Sequence, residues 1–231
     1  MTRRSAVLAG FLCGALSPAI YIAADMAAAA RYPGYSATDQ AVSELFAIGA
    51  PTSGLIVPLF SVSSGLLLAF AGGVWWCAGR DRRLRLLAIM FAAGALEALV
   101  LWNFFPMHMR GAVRTATDTM HLILAANPFV PLGMIVGASA FRGRFRTYTL
   151  GTLALLLVLA AYAFSYAPAL AANEPTPWLG LAERAGQYGY GVWEVVLAAV
   201  LWRRWVGTLG GRRSVMPTDD QGTEIGPFEP R

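Results

Sequence analysis

The side chains capable of acid–base chemistry are few in this sequence, and several of them lie in apolar surroundings. The 231 residues include 13 Asp and Glu residues and 2 His residues. Asp118 and His121 are three residues apart, a spacing that places both on one face of a helix. A histidine oriented by a carboxylate can act as a general base, with Glu97 as an acid or a metal ligand. These three residues are therefore the candidates for catalysis if the chain is an enzyme.

Sequence patterns that hold metals, nucleophiles or phosphates do not occur in this chain. His108 and His121 are 13 residues apart, and neither His-x-x-x-His nor Cys-x-x-Cys is present. No serine stands in a Gly-x-Ser-x-Gly setting, and there is no glycine-rich phosphate loop. We therefore predict no metal site and no cofactor. The enzymatic hypothesis is then a hydrolase-like reaction on a lipid or a small molecule.

A second group of polar side chains lies in the last apolar stretch of the chain. Four residues follow one another at steps of 4, 3 and 4 positions and would form one stripe on a helix, namely Glu183, Gln187, Tyr190 and Glu194. A charge near the centre of a bilayer costs roughly 2.5 to 3.5 kcal/mol on insertion scales, so such residues usually meet a partner or water. We therefore expect neither Glu97 nor Glu194 to face lipid.

The elements that must position these residues are membrane-spanning helices. Hydrophobic residues make up 57% of the chain, charged residues only 13%, and the mean hydropathy is +0.54. An α-helix needs about 20 apolar residues to cross the hydrocarbon of a bilayer, where its backbone groups bond to one another. Six such stretches occur, at residues 6–28, 54–78, 84–105, 119–141, 147–170 and 184–206. The sequence thus predicts an all-α, polytopic membrane protein with a bundle of six transmembrane helices.

The placement of arginine predicts the orientation of this bundle. Thirteen arginines lie before the first stretch, in or at the edge of the second and fourth connections, or at and beyond the end of the last stretch, whereas four lie in the other connections or at their edges. By the positive-inside rule, the arginine-rich side is cytoplasmic, and so are both termini. This placement also explains the net charge of +5, so the predicted partner is the lipid bilayer and not nucleic acid.

The chain divides into one membrane domain and a short tail. Residues 1–206 contain all six apolar stretches, and no connection between them is long enough for a second core. Residues 207–231 are rich in glycine, proline and acidic residues, a composition that buries too little apolar surface to fold. We predict a six-helix transmembrane domain followed by a disordered cytoplasmic tail.

Local signals predict two irregular features inside the spans. Asn127-Pro128 should kink the fourth helix, because proline removes a backbone donor and clashes with the preceding turn. Ser61 and Gly65 are small residues four positions apart, a spacing that lets two helices approach closely. We interpret both features as packing devices.

The first outward connection carries the signals of a short helix. Ser36 and Asp39 have the spacing of a capping box, and Gly49-Ala50-Pro51 provides a stop. Between them, residues 38–48 place apolar side chains on one face. The sequence therefore predicts a short extracytoplasmic helix that lies over the mouth of the bundle.

The candidate residues map to the outward half of the predicted bundle and together predict a polar pocket that opens outward. The pocket candidates are Tyr21, Asp25, Glu44, Glu97, Asp118, His121, Glu183, Arg184, Gln187, Tyr190 and Glu194. Three interpretations remain open: the pocket binds or translocates a proton, a cation or a small amphiphile; it is the site of a hydrolase-like enzyme; or it is a network that fixes helix register in a structural or accessory subunit. In the last case, Arg184 or Arg114 would pair with Glu97.

Several of these local patterns occur together in a known family. In chain order they are Ser17-Pro18 before Asp25, Pro33-Gly34-Tyr35-Ser36 before Ser43-Glu44-Leu45, Phe105-Pro106, His121 and Glu183-Arg184. With this order and spacing, residues 5–206 resemble the bacterial six-span membrane proteins known as domain of unknown function 998. The family pattern often has an acidic residue after Phe-Pro, where this chain has Met107-His108. The resemblance implies a six-helix fold in a bacterial cytoplasmic membrane and no settled activity.

Overall fold

The computed structural model describes residues 2–213, with side chains up to residue 207, and its regular structure is helical throughout that range. The predicted tail at residues 207–231 lies mostly outside the described part, and the last helix continues to Arg213. The helices are α1 (Arg3–Ala29), α2 (Ser53–Ala78), α3 (Arg82–Leu96), α4 (Trp102–Phe104), α5 (Ala116–Ala125), α6 (Phe129–Ala140), α7 (Arg144–Ser165), α8 (Ala167–Ala171) and α9 (Leu179–Arg213). A 3-10 helix (Val42–Phe46) precedes α2, and a π-helical turn (Glu97–Leu101) joins α3 to α4.

Five helical segments in the described chain are long and apolar enough to cross a membrane. They are Arg3–Ala29, Ser53–Ala78, Arg82–Phe104, Ala116–Ala140 and Arg144–Ala171. These segments coincide with the first five predicted spans, so the prediction of an all-α protein with membrane-spanning helices is confirmed. The predicted sixth span, residues 184–206, lies within the 35-residue helix α9, which is not one of the five.

The long helices pack as a closed ring. Each contacts its neighbour in the order α1, α2, α3, α6, α7 and α9, and α9 closes the ring against α1. A hydrophobic core fills the half of the ring next to the arginine-rich connections, where Phe70 and Phe91 lie 5.0 Å apart and Phe91 and Trp193 6.0 Å apart between ring centroids. The other half carries residues 30–52, 105–115 and 172–178, and we call it the loop end.

Helices α1 and α2 approach most closely at two glycines. A Cβ atom added to Gly10 would lie 2.7 Å from Gly73 Cα, a distance that real side chains do not reach. Gly65 has no heavy atom within 4 Å of the corresponding position. The prediction of a close approach at Ser61 and Gly65 is therefore wrong, because this face of α2 does not meet another helix there.

The fourth span is interrupted as the sequence predicts. Helix α5 ends at Ala125, α6 begins at Phe129, and Asn127 between them has a φ angle of 24°. Pro128 has no backbone N–H to donate to α5, so the series of helical backbone hydrogen bonds ends there. Beyond this break α5 contacts α4 and makes no extensive contact with α7 or α9 among the described helices. The break therefore leaves space at the loop end of the ring.

The first connection covers the loop end, with less helix than predicted. The Ser36 hydroxyl donates a hydrogen bond to the Asp39 carboxylate at 3.0 Å and accepts one from the Asp39 backbone N–H at 3.3 Å, as the capping pattern predicts. A helix over residues 38–48 does not form, however, and only Val42–Phe46 is helical. The Thr38 carbonyl accepts instead from Leu181 N–H at 3.0 Å. The backbone of this segment is thus held by α9 and is not free to continue a helix.

Candidate functional site

A buried ion pair joins the loop-end halves of α1 and α9. Arg184 binds Asp25 through two parallel hydrogen bonds of 2.8 Å, and Asp25 also accepts one from the Tyr188 hydroxyl. Arg184 further donates to the Ala37 carbonyl at 2.7 Å and to the Tyr35 hydroxyl at 2.9 Å. Burial raises the pKa of the Tyr35 hydroxyl, although the hydrogen bond from Arg184 lowers it. Asp25 has no exposed surface, so its charge is neutralised within the protein.

A second ion pair holds the 3-10 helix against the other connections. Arg110 donates to both Glu44 carboxylate oxygens, at 2.9 and 2.8 Å, and to Thr176 at 3.0 Å. Glu44 also accepts from the Ala41 backbone N–H at 2.9 Å and from Gln40 at 3.0 Å. The hydrogen bond to Glu44 raises the pKa of Arg110. Four donors therefore satisfy a carboxylate that is fully buried.

Asp118 caps the start of α5 and pairs with His108. Its carboxylate accepts a hydrogen bond from the His108 backbone N–H at 2.7 Å and lies 3.0 Å from the Nδ1 atom of the His108 ring. It also accepts hydrogen bonds from the Thr115 backbone N–H at 2.7 Å and from the Thr115 hydroxyl at 3.0 Å. The hypothesis that Asp118 orients His121 therefore does not describe this structure. The partner of Asp118 is instead His108, which follows shortly after Phe105-Pro106 in the sequence.

His121 lies on α5 with one ring nitrogen bonded and the other free. Its Nδ1 is 2.9 Å from the Phe105 carbonyl, and its Nε2 is buried with no hydrogen-bond partner among the described residues. Because a backbone carbonyl only accepts, Nδ1 carries the proton of the neutral ring. The ring packs edge-on against Trp102 with centroids 4.7 Å apart. Nε2 is therefore a fixed acceptor in a side chain that is only 3% exposed.

The space left by α5 forms a cavity of about 570 Å³ at the loop end. Residues of α2, α5, α7 and α9 line it, with apolar walls that include Phe60, Leu156 and Ala160. Among the pocket candidates, those that line it are Tyr21, Asp118, His121, Glu183, Gln187 and Tyr190. Six of the eleven pocket candidates thus lie around this cavity.

A smaller cavity of about 150 Å³ lies deeper in the bundle, and Glu194 lines it. Tyr21, Gln187 and Tyr190 line both cavities, so the polar stripe of α9 runs from the larger cavity into the smaller one. Glu194 is 2% exposed, and its Oε1 has no hydrogen-bond partner among the described residues. Its burial and its place in the cavity lining agree with the expectation that Glu194 does not face lipid.

Glu97 occupies a different place from the other candidates. It begins the π-helical turn, is 6% exposed, and lines neither of the two cavities. The expected partners are engaged elsewhere, since Arg184 binds Asp25 and Arg114 donates to the Ala167 carbonyl at 2.7 Å. The proposed pairing of Glu97 with either arginine is therefore wrong. Asp25, Glu44 and Arg184 also line neither cavity and serve the loop-end contacts.

Sequence reasoning missed Arg110 and His108 as members of these networks. A signal for Arg110 was present, because it is one of the four arginines on the arginine-poor side, where positive charge is disfavoured unless it has a role. Arg184, which was predicted, is another of the four. His108 offers no comparable signal, because helical spacing pairs Asp118 with His121, whereas His108 lies in a connection outside the helix.

A family profile described as "Protein of unknown function (DUF998)" matches residues 15–200. The chain belongs to this family. The match to DUF998 includes Tyr21 in α1, His121 in α5 and Glu194 in α9, so residues of both cavities lie within the family region. The resemblance predicted from local motifs is thereby confirmed. Comparisons with curated proteins and with solved structures give no significant match.

Proposed function

We propose that this DUF998 protein is a six-span protein of the bacterial cytoplasmic membrane that binds a small amphiphile in its larger cavity, from the outward side. Helix α9 supplies the sixth span, and residues 30–52 form the extracytoplasmic cover. The asymmetry of thirteen arginines against four supports cytoplasmic termini. The observation that carries the binding role is a cavity of about 570 Å³ whose lining includes His121, a residue with a buried ring nitrogen that has no hydrogen-bond partner among the described residues.

The shape and lining of the cavity suit an amphiphile. Its volume lies within the roughly 300 to 1,000 Å³ of small-molecule sites, which are mostly apolar with a few fixed polar groups. The α7 wall supplies aliphatic side chains, including Leu153 and Leu157, for an acyl or alkyl chain. His121 and Gln187 supply polar contacts for a headgroup.

The tautomer of His121 specifies what that headgroup offers. Nδ1–H is held by the Phe105 carbonyl, so the lone pair of the neutral ring is on Nε2, which has no partner among the described residues. A hydroxyl or an ammonium group can donate to it, whereas an ether or an ester oxygen cannot. The preferred ligand is therefore an amphiphile with a hydrogen-bond donor at its polar end.

The hydrolase-like alternative rests on the same nitrogen, since a free Nε2 could accept a proton from water. Its other candidate groups give it less support. Asp118 is bound by His108 and Thr115, and Glu97 lines neither cavity. Binding needs only the cavity and the acceptor, so it is the function we favour. A structural or accessory role accounts for the paired charges at the loop end and leaves the cavity without a purpose.

Binding can be tested with dodecanol and its methyl ether, which has no donor. The full chain in lipid nanodiscs should bind dodecanol more tightly, and His121→Ala should abolish the difference, a change of roughly fivefold for one hydrogen bond of about 1 kcal/mol. Ile123→Ala is the matched control, because Ile123 is on the same helix with its side chain 57% exposed. Equal binding of both compounds to the unmodified protein would overturn the proposal. Cleavage of dodecyl acetate that depends on His121 would favour the hydrolase instead.

A further inference from the structure

Glu194 differs from the buried acids Asp25, Glu44 and Asp118 because no charged group among the described residues faces it. It lines the smaller cavity, and its Oε1 has no hydrogen-bond partner among the described residues. The nearby hydroxyls of Ser17 and Ser63 are 3.3 Å apart, and Ser63 donates to the Ser17 carbonyl at 2.9 Å. These two side chains are thus occupied with each other and with the backbone of α1.

Among the described residues, the elements around the smaller cavity provide no counter-charge to Glu194. The titratable side chains in its lining, besides Glu194, are Tyr21 from α1 and Tyr190 from α9. Helices α2, α3 and α6 contribute serine, apolar residues and glycine, and α7, which also packs on α9, contributes no residue to the described lining. An ionised carboxylate without a partner is strongly disfavoured in such surroundings. The stable form of the side chain here is the neutral acid.

The smaller cavity lies next to the larger one and shares walls with it. Residues that line both cavities are Tyr21, Ser64, Ala98, Asn127, Val130, Gln187 and Tyr190. Several of these carry hydroxyl or amide groups, which can hold water between the loop end and Glu194. We propose that Glu194 is a proton-binding site that exchanges its proton with the loop-end side of the membrane through the two cavities. This inference does not depend on amphiphile binding.

Carbodiimide labelling of the full chain in nanodiscs tests the protonated state. The acid O–H of a carboxyl group adds across one C=N bond of dicyclohexylcarbodiimide, so that a C–O bond forms, the proton moves to nitrogen and no group leaves. Rearrangement to the N-acylurea then gives a stable mass increase on the labelled residue. We expect label at Glu194 that falls as pH rises and is lost completely in Glu194→Gln. Glu97→Gln is the control and should keep the label at Glu194, because Glu97 does not line the smaller cavity.

Exchange with the loop-end side is tested separately by infrared spectroscopy. Glu194→Gln should remove a carbonyl band of a protonated carboxyl group, and in the unmodified protein this band should shift after transfer to D₂O. Ser64→Phe, which places a large side chain in the shared wall, should slow the shift. No label at low pH, or a band that never shifts in D₂O, would overturn the proposal. Protection by sodium ions at fixed pH and ionic strength would overturn it in favour of a cation site.

The two proposals can fail independently of each other. Loss of the dodecanol preference concerns His121 and the larger cavity, and it leaves the labelling and the infrared band of Glu194 unchanged. Conversely, an unlabelled Glu194 leaves the donor preference at His121 in place. A ligand that fills the larger cavity should slow deuterium uptake at Glu194, and it should do so only if both proposals hold.

Discussion

The acids at the loop end and the acids within the spans are treated differently by this fold. Asp25 and Glu44 have no exposed surface, and each is bound by an arginine and by further donors. Glu97 and Glu194 are also buried, yet each has an oxygen without a partner among the described residues. Burial alone therefore does not distinguish a structural acid from one that is available to a ligand. The distinction lies in whether the carboxylate oxygens have hydrogen-bond partners.

This difference assigns distinct roles to the two regions. At the loop end, ion pairs join connections that are distant in the sequence, so they determine how the cover lies on the bundle. Within the spans, an unpartnered carboxyl group lowers stability unless a proton, water or a ligand satisfies it. The loop end should therefore respond to mutation through stability, and the inner region through binding.

The largest loss of stability is expected for Arg184→Ala. It leaves the Asp25 carboxylate buried and without its cation, a change that costs about 3–5 kcal/mol in buried pairs. The free energy of unfolding, from dodecyl sulfate titration of the purified protein, measures it. Arg31→Ala is the control, because Arg31 is exposed and the described contact of its side chain is with the Ala27 carbonyl of the adjoining helix α1. The double variant Asp25→Ala with Arg184→Ala should lose less than the sum of the single variants, and additivity would contradict the pairing.

Glu44→Gln should have the next largest effect. The amide keeps the shape of the side chain but removes the charge that Arg110 binds at two oxygens, and hydrogen bonds to charged groups contribute about 1.5–3 kcal/mol. The same titration measures the change. Glu174→Gln is the matched control, since the Glu174 side chain is exposed and only its backbone carbonyl contacts Arg110. Equal losses in the two variants would mean that the Glu44 charge is not structural.

Gly180→Ala should disturb the cover with a moderate loss. A Cβ atom at Gly180 would overlap the carbonyl oxygens of Gln40 and Ala37, so the first connection must move away from α9. Overpacking of this kind costs about 1–3 kcal/mol. Faster amide hydrogen exchange over residues 37–42 would report the displacement. Gly186→Ala on the same helix has no heavy atom within 4 Å and should leave exchange unchanged; an equal effect there would indicate lost helix flexibility and not the contact.

Much of the fold could be predicted from the sequence because lipid imposes strong rules. Apolar stretches of spanning length define the helices, and Asn127-Pro128 predicts the break that opens the cavity. The depth of Glu194 and its stripe with Gln187 follow from helical periodicity alone. These features depend on residues close in sequence, which is why one sequence suffices.

The partners of the charged residues could not be predicted in the same way. Asp25 and Arg184 are 159 positions apart, and Glu44 and Arg110 are 66 apart. Which acid meets which arginine depends on the order of helices in the ring, and periodicity does not contain that order. The π-helical turn at Glu97–Leu101 could not be predicted either, because its sequence contains neither proline nor glycine to mark an irregular turn.

The smallest effect on stability is expected at Glu194, where the comparison between the two regions is most direct. Glu194→Gln replaces a neutral acid with an amide of similar shape, and Glu194→Leu removes a polar group that has an unpartnered oxygen. Apolar replacement of an unsatisfied buried group is nearly neutral or stabilising, so both variants should stay within about 1 kcal/mol of the unmodified protein. Dodecyl sulfate titration alongside Glu44→Gln makes the measurement. If either Glu194 variant loses as much stability as Glu44→Gln, then Glu194 has a structural partner, and the inner acids do not differ in kind from those at the loop end.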